Sequence, residues 1–131
     1  MALSLEFATD VPSSLNKDDL HMALDLVQVA ADAGLNGKIS LVFTDEPTAR
    51  QLNLQYAGND YATDVLSFNY FEGEDDEPGP DDTLGEVVVC VPVAQKQAEE
   101  HGQDMRSELL LLVVHGMMHV LGYDHAGQAE Q

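Results

Sequence analysis

Apolar and polar positions follow two periods along the chain, and their order predicts a protein of mixed strands and helices. Apolar runs rich in branched residues and bounded by turn residues predict four strands, around residues 3–7, 38–43, 65–71 and 84–91. Apolar residues at helical spacing predict four helices, around residues 20–34, 45–58, 93–100 and 104–121. The fourth strand is apolar on both faces, so we expect it near the centre of the sheet.

Length and composition are those of one folded domain. The chain has 131 residues, of which 44% are hydrophobic and 22% are charged. These values are typical of a globular protein, and neither an internal repeat nor an interdomain linker is visible. We therefore expect one domain over residues 1–131.

Acidic residues dominate the charge. There are 24 Asp and Glu against five Lys and Arg, so the formal net charge is −19. A polyanion is repelled by nucleic acid and by anionic membranes, which argues against a protein that coats either non-specifically. The acidic tract at residues 72–82 lacks the ligand spacing of an EF-hand calcium loop and predicts a solvated loop.

The cysteine content and the N-terminus indicate a cytoplasmic protein. The single Cys90 lies in an apolar run, which predicts a buried, reduced thiol. The N-terminus has no basic segment of the kind that begins a signal peptide. The longest apolar stretch, residues 109–114, is too short to span a bilayer.

Three of the five histidines lie within eleven residues of the last predicted helix and its end. His115 and His119 are four residues apart, so they project from one helical face with Cβ atoms about 5–6 Å apart. That spacing allows both imidazoles to bind one metal ion. Gly122 can take the left-handed conformation that ends a helix, and the turn it makes would let His125 reach the same ion. Three imidazoles leave a fourth position for water, as in catalytic zinc sites, although nickel, copper and iron also suit such ligands. The alternative is that the three histidines cluster without binding metal.

Gly116 follows the first histidine, at the position where metalloproteases with this spacing carry a glutamate as general base. A metal can still activate its bound water as nucleophile without that glutamate. Peptide hydrolysis also needs a proton for a poor leaving group, so the missing acid disfavours a metallopeptidase most. The pattern predicts a metal-dependent hydrolase. A phosphodiester fits this site better than a peptide does, because the metal can both activate water and neutralise a phosphate oxygen.

Four segments together resemble the YbeY family of bacterial rRNA-maturation endoribonucleases. They are residues 52–56 (LNLQY), 63–68 (TDVLSF), 84–89 (LGEVVV) and 115–125 (HGMMHVLGYDH), in the family's order. The resemblance implies an α/β (α+β) domain with a small four-stranded mixed sheet packed with helices. It also implies a zincin-like arrangement with the metal site on the C-terminal helix.

The same resemblance implies function and partners. One zinc ion per chain would be held by His115, His119 and His125. The activity implied is a single-strand-specific endoribonuclease in 16S rRNA 3′-end maturation and ribosome quality control. The implied partners are ribosomal RNA, small-subunit ribosomal proteins and an Era-type GTPase.

Four further residues are candidates for the site that the resemblance implies. Thr63, Asp64 and Ser67 would run beside the metal cleft, where they could bind substrate or brace the site. The alternative is a turn and strand start that merely packs. Asp124 is a candidate hydrogen-bond partner of a metal ligand.

The chain departs from the family pattern at three places. Ala57 stands where the family usually has an arginine, whose planar fork would suit a phosphate. That loss leaves open a non-catalytic zinc-containing ribosome-assembly factor. Asn69 replaces a usual proline, which we interpret as a minor change at the strand edge. The sequence ends at Gln131 where the family continues into an acidic helix, so we expect a less covered metal site.

Overall fold

A computed structural model describes residues 3–31, 36–70 and 79–122 of the chain. These ranges contain four strands and four helices. In chain order they are β1 (Leu3–Phe7), α1 (Lys17–Ala31), β2 (Gly37–Thr44), α2 (Glu46–Ala57), β3 (Val65–Asn69), β4 (Thr83–Cys90), α3 (Val91–Glu100) and α4 (Met105–Val120).

The four strands form one mixed sheet in the order β1-β2-β4-β3. The pairs β1–β2 and β2–β4 are parallel, whereas β3 runs antiparallel to β4 with Val65 opposite Val89. The sheet confirms the predicted α+β class with four mixed strands. It also confirms the interior position of the fourth strand, which lies between β2 and β3. Strand β3 forms one edge of this sheet.

Helices lie on both faces of the sheet. This follows from β3, whose successive side chains point to opposite faces and contact different helices. Ser67 contacts α4, while the next side chain, Phe68, packs edge-on against Tyr56 of α2 with ring centroids 5.2 Å apart. Helices α1 and α4 pack against each other as well as onto the sheet. The core is formed by aliphatic side chains from these two helices and the sheet, among them Leu20, Val27, Ile39, Leu41, Val87, Val89, Leu109, Val113 and Met117.

Helix α1 begins earlier than the apolar pattern predicts, at Lys17 instead of about Leu20. Its start is set by polar side chains: Asp19 N donates to Asn16 Oδ1 (2.9 Å), and Asn16 N donates to Asp19 Oδ2 (3.1 Å). This reciprocal pair satisfies two backbone donors at the helix end. The predicted stop at Gly34 lies outside the described residues.

Two other boundaries differ from the prediction. Strand β3 ends at Asn69 and not at residue 71, which itself lies outside the described ranges. Helix α3 begins at Val91, so Pro92 lies in its first turn, where its missing N–H costs no helical hydrogen bond.

Cys90 is fully buried, as predicted, and burial raises the pKa of its thiol. The acidic tract is described only from Gly79 onward, so most of that prediction lies outside the described residues. Within the described ranges, none of the helices has the length and apolarity needed to cross a membrane.

Candidate active site

His115 and His119 lie on one side of α4, with ring centroids 5.5 Å apart and ring planes inclined by 57°. His115 is exposed and His119 is half-buried. Both line a cleft of about 320 Å³ whose other described walls come from Val65, Leu66, Ser67 and Gly116. The cleft therefore lies between the histidine face of α4 and the edge strand β3.

The sequence of α4 explains why the histidines face the cleft. Its buried positions recur at helical spacing: Glu108, Leu109, Leu112, Val113, Gly116, Met117 and Val120. This stripe packs against the sheet and α1, which leaves the histidines at its border. At the far end, Gly122 adopts a φ of +93°, the left-handed conformation predicted to end the helix.

Gly116 is a point of close approach between α4 and the sheet. A Cβ at this position would lie 2.5 Å from Cγ1 of Val87 and 3.2 Å from Oγ of Ser67. Real Cβ atoms essentially never come within 3.0 Å of another atom, so the contact with Val87 would force a shift. A glutamate at this position would meet β4, which gives a packing reason for the glycine that follows His115.

Two hydrogen bonds join β3 to α4. Ser67 Oγ donates to the Gly116 carbonyl oxygen (3.2 Å), and Asn69 Nδ2 donates to the Val120 carbonyl oxygen (2.8 Å). Carbonyls in the last turn of a helix have no intrahelical partner, so the Asn69 amide caps the end of α4. Asn69 thus lies at the end of the edge strand, as interpreted, and its amide makes in addition a bond to α4 that the sequence did not indicate.

Thr63 and Asp64 form the turn that leads into β3, and neither lines the cleft. Asp64 Oδ1 accepts hydrogen bonds from Val65 N (2.8 Å) and from Thr63 Oγ1 (3.3 Å). The Asp64 carbonyl oxygen accepts from Cys90 N (2.8 Å), which begins the pairing with β4. Of the three predicted substrate residues, the structure places Ser67 in the cleft and the other two at the start of its strand.

The sequence analysis missed a buried carboxylate near this turn. Glu108 on α4 is only 3% exposed and accepts a hydrogen bond from Gln103 Nε2. With its amide nitrogen turned toward the acceptors, Gln97 donates to Glu108 Oε2 (3.1 Å) and to Asp64 Oδ2 (3.2 Å). His101 Nδ1 lies 3.8 Å from Glu108 Oε1, at the end of α3. The only available signal was that Glu108 interrupts an apolar helical stripe.

Neither arginine reaches the cleft, because each forms a two-point ion pair with an aspartate. Arg50 Nε lies 2.6 Å from Asp60 Oδ1, and Arg106 Nη2 lies 2.8 Å from Asp19 Oδ1. These hydrogen bonds hold the pKa of both aspartates below its usual range. All five lysine and arginine residues lie in the described ranges, and none of them lines the cleft.

Comparison with known proteins identifies the family. The family model described as "Endoribonuclease YbeY" matches residues 6–131. A protein named endoribonuclease YbeY from Desulforamulus reducens is 37% identical over 123 residues, covering 90% of this chain and 80% of that protein. Its namesake from Leifsonia xyli subsp. xyli is 44% identical over 110 residues, covering 82% and 69%. This chain belongs to the YbeY endoribonuclease family.

A solved structure agrees with this membership. The solution structure of TM1509 from Thermotoga maritima is similar with a TM-score of 0.61 and 29% identity, over 95% of this chain and 75% of that one. The resemblance that the four sequence segments indicated is thus confirmed at the level of the YbeY family and its α+β fold.

The predicted metal ligands are partly described. His115 and His119 are placed together, whereas His125 and Asp124 lie outside the described residues. Among the described residues there is accordingly no cluster of three metal-ligating side chains. Two imidazoles one helical turn apart, facing a cleft, are a donor set that fits zinc.

Proposed function

We propose that this chain is a zinc-dependent, single-strand-specific endoribonuclease that acts in 16S rRNA 3′-end maturation and ribosome quality control. The observation that carries the proposal is the pair His115 and His119 facing the cleft beside β3, in a chain of the YbeY endoribonuclease family. The zincin-like arrangement, with the metal site at the end of α4, is part of this proposal.

In this proposal His115, His119 and His125 hold one zinc ion, and Asp124 orients one of these imidazoles. Such an ion supplies Lewis acidity and activates water at neutral pH. Ser67 and Asn69 keep β3 at a set distance from the histidine helix through their hydrogen bonds to α4. Thr63 and Asp64 set the path by which the chain enters that strand.

The absence of a carboxylate after His115 supports a phosphodiester over a peptide as substrate. Gly116 packs against Val87, so no side chain at this position delivers a proton to an amine leaving group. A metallopeptidase is therefore the weakest of the alternative functions.

The proposed partners are those that the resemblance to the YbeY family implies, and the charge supports a need for them. A chain with a net charge of −19 and no lysine or arginine at the cleft binds RNA weakly through phosphates alone. We propose that small-subunit ribosomal proteins, and an Era-type GTPase, bring it to ribosomal RNA. The single free Cys90 supports a cytoplasmic location. Membrane binding and non-specific coating of nucleic acid are not expected.

A second candidate is a non-catalytic, zinc-containing ribosome-assembly factor. It is favoured by Ala57 in place of the family's arginine and by the pairing of both arginines with aspartates. The variant Ala57→Arg discriminates the two candidates. If the arginine is required, this variant gains RNA cleavage that the native chain lacks, whereas cleavage by the native chain excludes the non-catalytic factor.

The main test measures zinc content and RNA cleavage together. We expect about one zinc per chain, cleavage of an unstructured oligoribonucleotide but not of a duplex, and loss of cleavage with a chelator. His119→Ala should lose zinc and cleavage, while His21→Ala, which removes an exposed histidine packed against Phe7, should retain both. A protein that binds no metal at neutral pH, or cleavage that survives His119→Ala, would overturn the proposal.

A further inference from the structure

The backbone of β3 has one side that is not paired within the sheet. The Asp64 carbonyl oxygen accepts from Cys90 N, and Tyr70 N donates to the Leu84 carbonyl oxygen. Backbone groups that point to the partner alternate along an antiparallel strand, so those of Leu66 and Phe68 also point to β4. The N–H and C=O of Ser67, between them, point away from the sheet.

This outward pair of groups lies at the candidate active site. Val65, Leu66 and Ser67 line the same cleft as His115 and His119. The Ser67 hydroxyl is bonded to Gly116 on α4, so the side chain and the backbone of this residue serve different purposes. The side chain braces the cleft, and the backbone presents a donor and an acceptor at its edge.

The spacing of these groups suits a nucleobase. The N–H and C=O of one extended residue lie side by side and point the same way. Each of the four RNA bases carries an adjacent donor and acceptor on its Watson–Crick edge, and that edge is accessible only in unpaired nucleotides. The outward groups of Ser67 therefore match the Watson–Crick edge of any unpaired base, and in a duplex that edge is already taken up by base pairing.

A peptide strand fits this edge less well. An extended peptide bonds to a series of outward backbone groups along a strand. Here the outward N–H of Val65 already donates to Asp64 Oδ1. The same alternation gives outward pairs of N–H and C=O at Ser67 and Asn69, and of these two residues Ser67 lines the cleft whereas Asn69 does not. One base needs only one such pair.

We propose that the backbone N–H and C=O of Ser67 hydrogen-bond the Watson–Crick edge of one unpaired nucleotide, and that this contact selects single-stranded RNA. The inference rests on the proposed ribonuclease function and names the part of the site that recognises the substrate. It also suits a cleft that no lysine or arginine lines, because recognition of this kind depends little on phosphate contacts.

The first experiment compares Ser67→Pro with Ser67→Ala. Proline removes the outward N–H without breaking a bond to β4, and edge strands tolerate proline at such positions. Alanine keeps the N–H and sets the baseline for losing the hydroxyl. We expect Ser67→Pro to raise KM for an unstructured oligoribonucleotide about 3- to 10-fold over Ser67→Ala, with a smaller change in kcat. Equal KM values for the two variants would overturn the inference.

The second experiment needs no variant and is run both with and without zinc. In ¹H–¹⁵N spectra of the native protein, with and without zinc, an unstructured cytidine hexaribonucleotide should shift the Ser67 amide and slow its hydrogen exchange. The amides of Leu66 and Phe68, bonded to β4, serve as internal controls and should change less. A blunt duplex of equal length should leave all three unchanged.

The outcomes separate this inference from the proposed function. A Ser67 amide that responds to RNA in a protein without cleavage activity supports the contact and overturns the nuclease. Cleavage without a Ser67 response overturns the contact alone. An extended peptide that shifts the Ser67 amide more than RNA does assigns the edge to a peptide and overturns the inference.

Discussion

The hydroxyl of Ser67 on β3 donates a hydrogen bond to the carbonyl oxygen of Gly116 on α4, over 3.2 Å. This bond joins the edge strand of the sheet to the helix that carries the histidines. Asn69 makes a second bond of this kind to Val120, one turn further along α4. The two bonds hold the two walls of the cleft together. The width of the candidate site therefore depends on Ser67 and Asn69, neither of which is a proposed metal ligand.

Gly116→Ala should destabilise the protein. The added Cβ would lie 2.5 Å from Val87 Cγ1, and overpacking of this kind costs about 1–3 kcal/mol. Alanine gains at most about 1 kcal/mol over glycine in a helix interior, so we expect a net loss of unfolding free energy in urea. Gly79→Ala, where the nearest atom is 3.8 Å away, is the control and should change stability by less than about 0.5 kcal/mol. A Gly116→Ala protein as stable as the native one would contradict the packing argument.

Glu108→Ala should cost about 1–3 kcal/mol or more, because the amides of Gln97 and Gln103 lose their buried acceptor. Glu108→Gln should cost less than Glu108→Ala but more than nothing, because Gln97 and Gln103 donate to different oxygens of the carboxylate and one of these becomes an NH2 group. Glu100→Ala, at an exposed position of α3, is the control and should stay within about 0.5 kcal/mol of the native value. Chemical denaturation at pH 7 measures all three, and an unchanged Glu108→Ala would refute the network.

The pair formed by Asp19 and Arg106 should make stability depend on pH in acid. The hydrogen bond from Arg106, aided by the backbone N–H at Asn16, lowers the pKa of Asp19 in the folded protein. A lowered pKa stabilises the fold at pH values above that of unfolded Asp, about 3.9, and this stabilisation is lost as the pH falls through the folded value. Unfolding free energies measured from pH 7 down to pH 2.5 should therefore decline less for Asp19→Asn than for the native protein. Arg106→Gln should flatten the same part of the curve, and an Arg106→Gln curve parallel to the native one would rule the pair out as its cause.

Asp104 should stabilise the helix that carries the histidines. Its side chain accepts a hydrogen bond from Ser107 N at the start of α4 (2.7 Å), and this bond lowers the pKa of the carboxyl. Asp104→Ala should lower the melting temperature, whereas Asp104→Asn, which keeps an acceptor at the cap, should lower it less. Thermal unfolding of the two variants at neutral pH provides the comparison, and equal losses would show that the capping bond is not what matters.

Much of the fold could be predicted from the sequence because it depends on local patterns. The continuous apolar run Val87–Cys90 and the helical spacing in α4 concern neighbours a few residues apart, and the structure confirms both elements. The pairing of His115 with His119 is also local, since one turn of helix brings them together wherever the helix packs. The ends of the elements depend on capping side chains as well: Asn16 and Asp19, not the first leucine, decide where α1 begins.

The set of elements, the histidine pair and the family segments can therefore be read from local sequence patterns. Which strand forms the edge, the bonds of Ser67 and Asn69 to α4, and the burial of Glu108 among amides depend on how the elements pack. The physical reason is distance along the chain: Ser67 and Gly116 are separated by 49 residues, and Asn69 and Val120 by 51. No local pattern records such a partner, because the energy that favours it exists only after the sheet and helix have packed together.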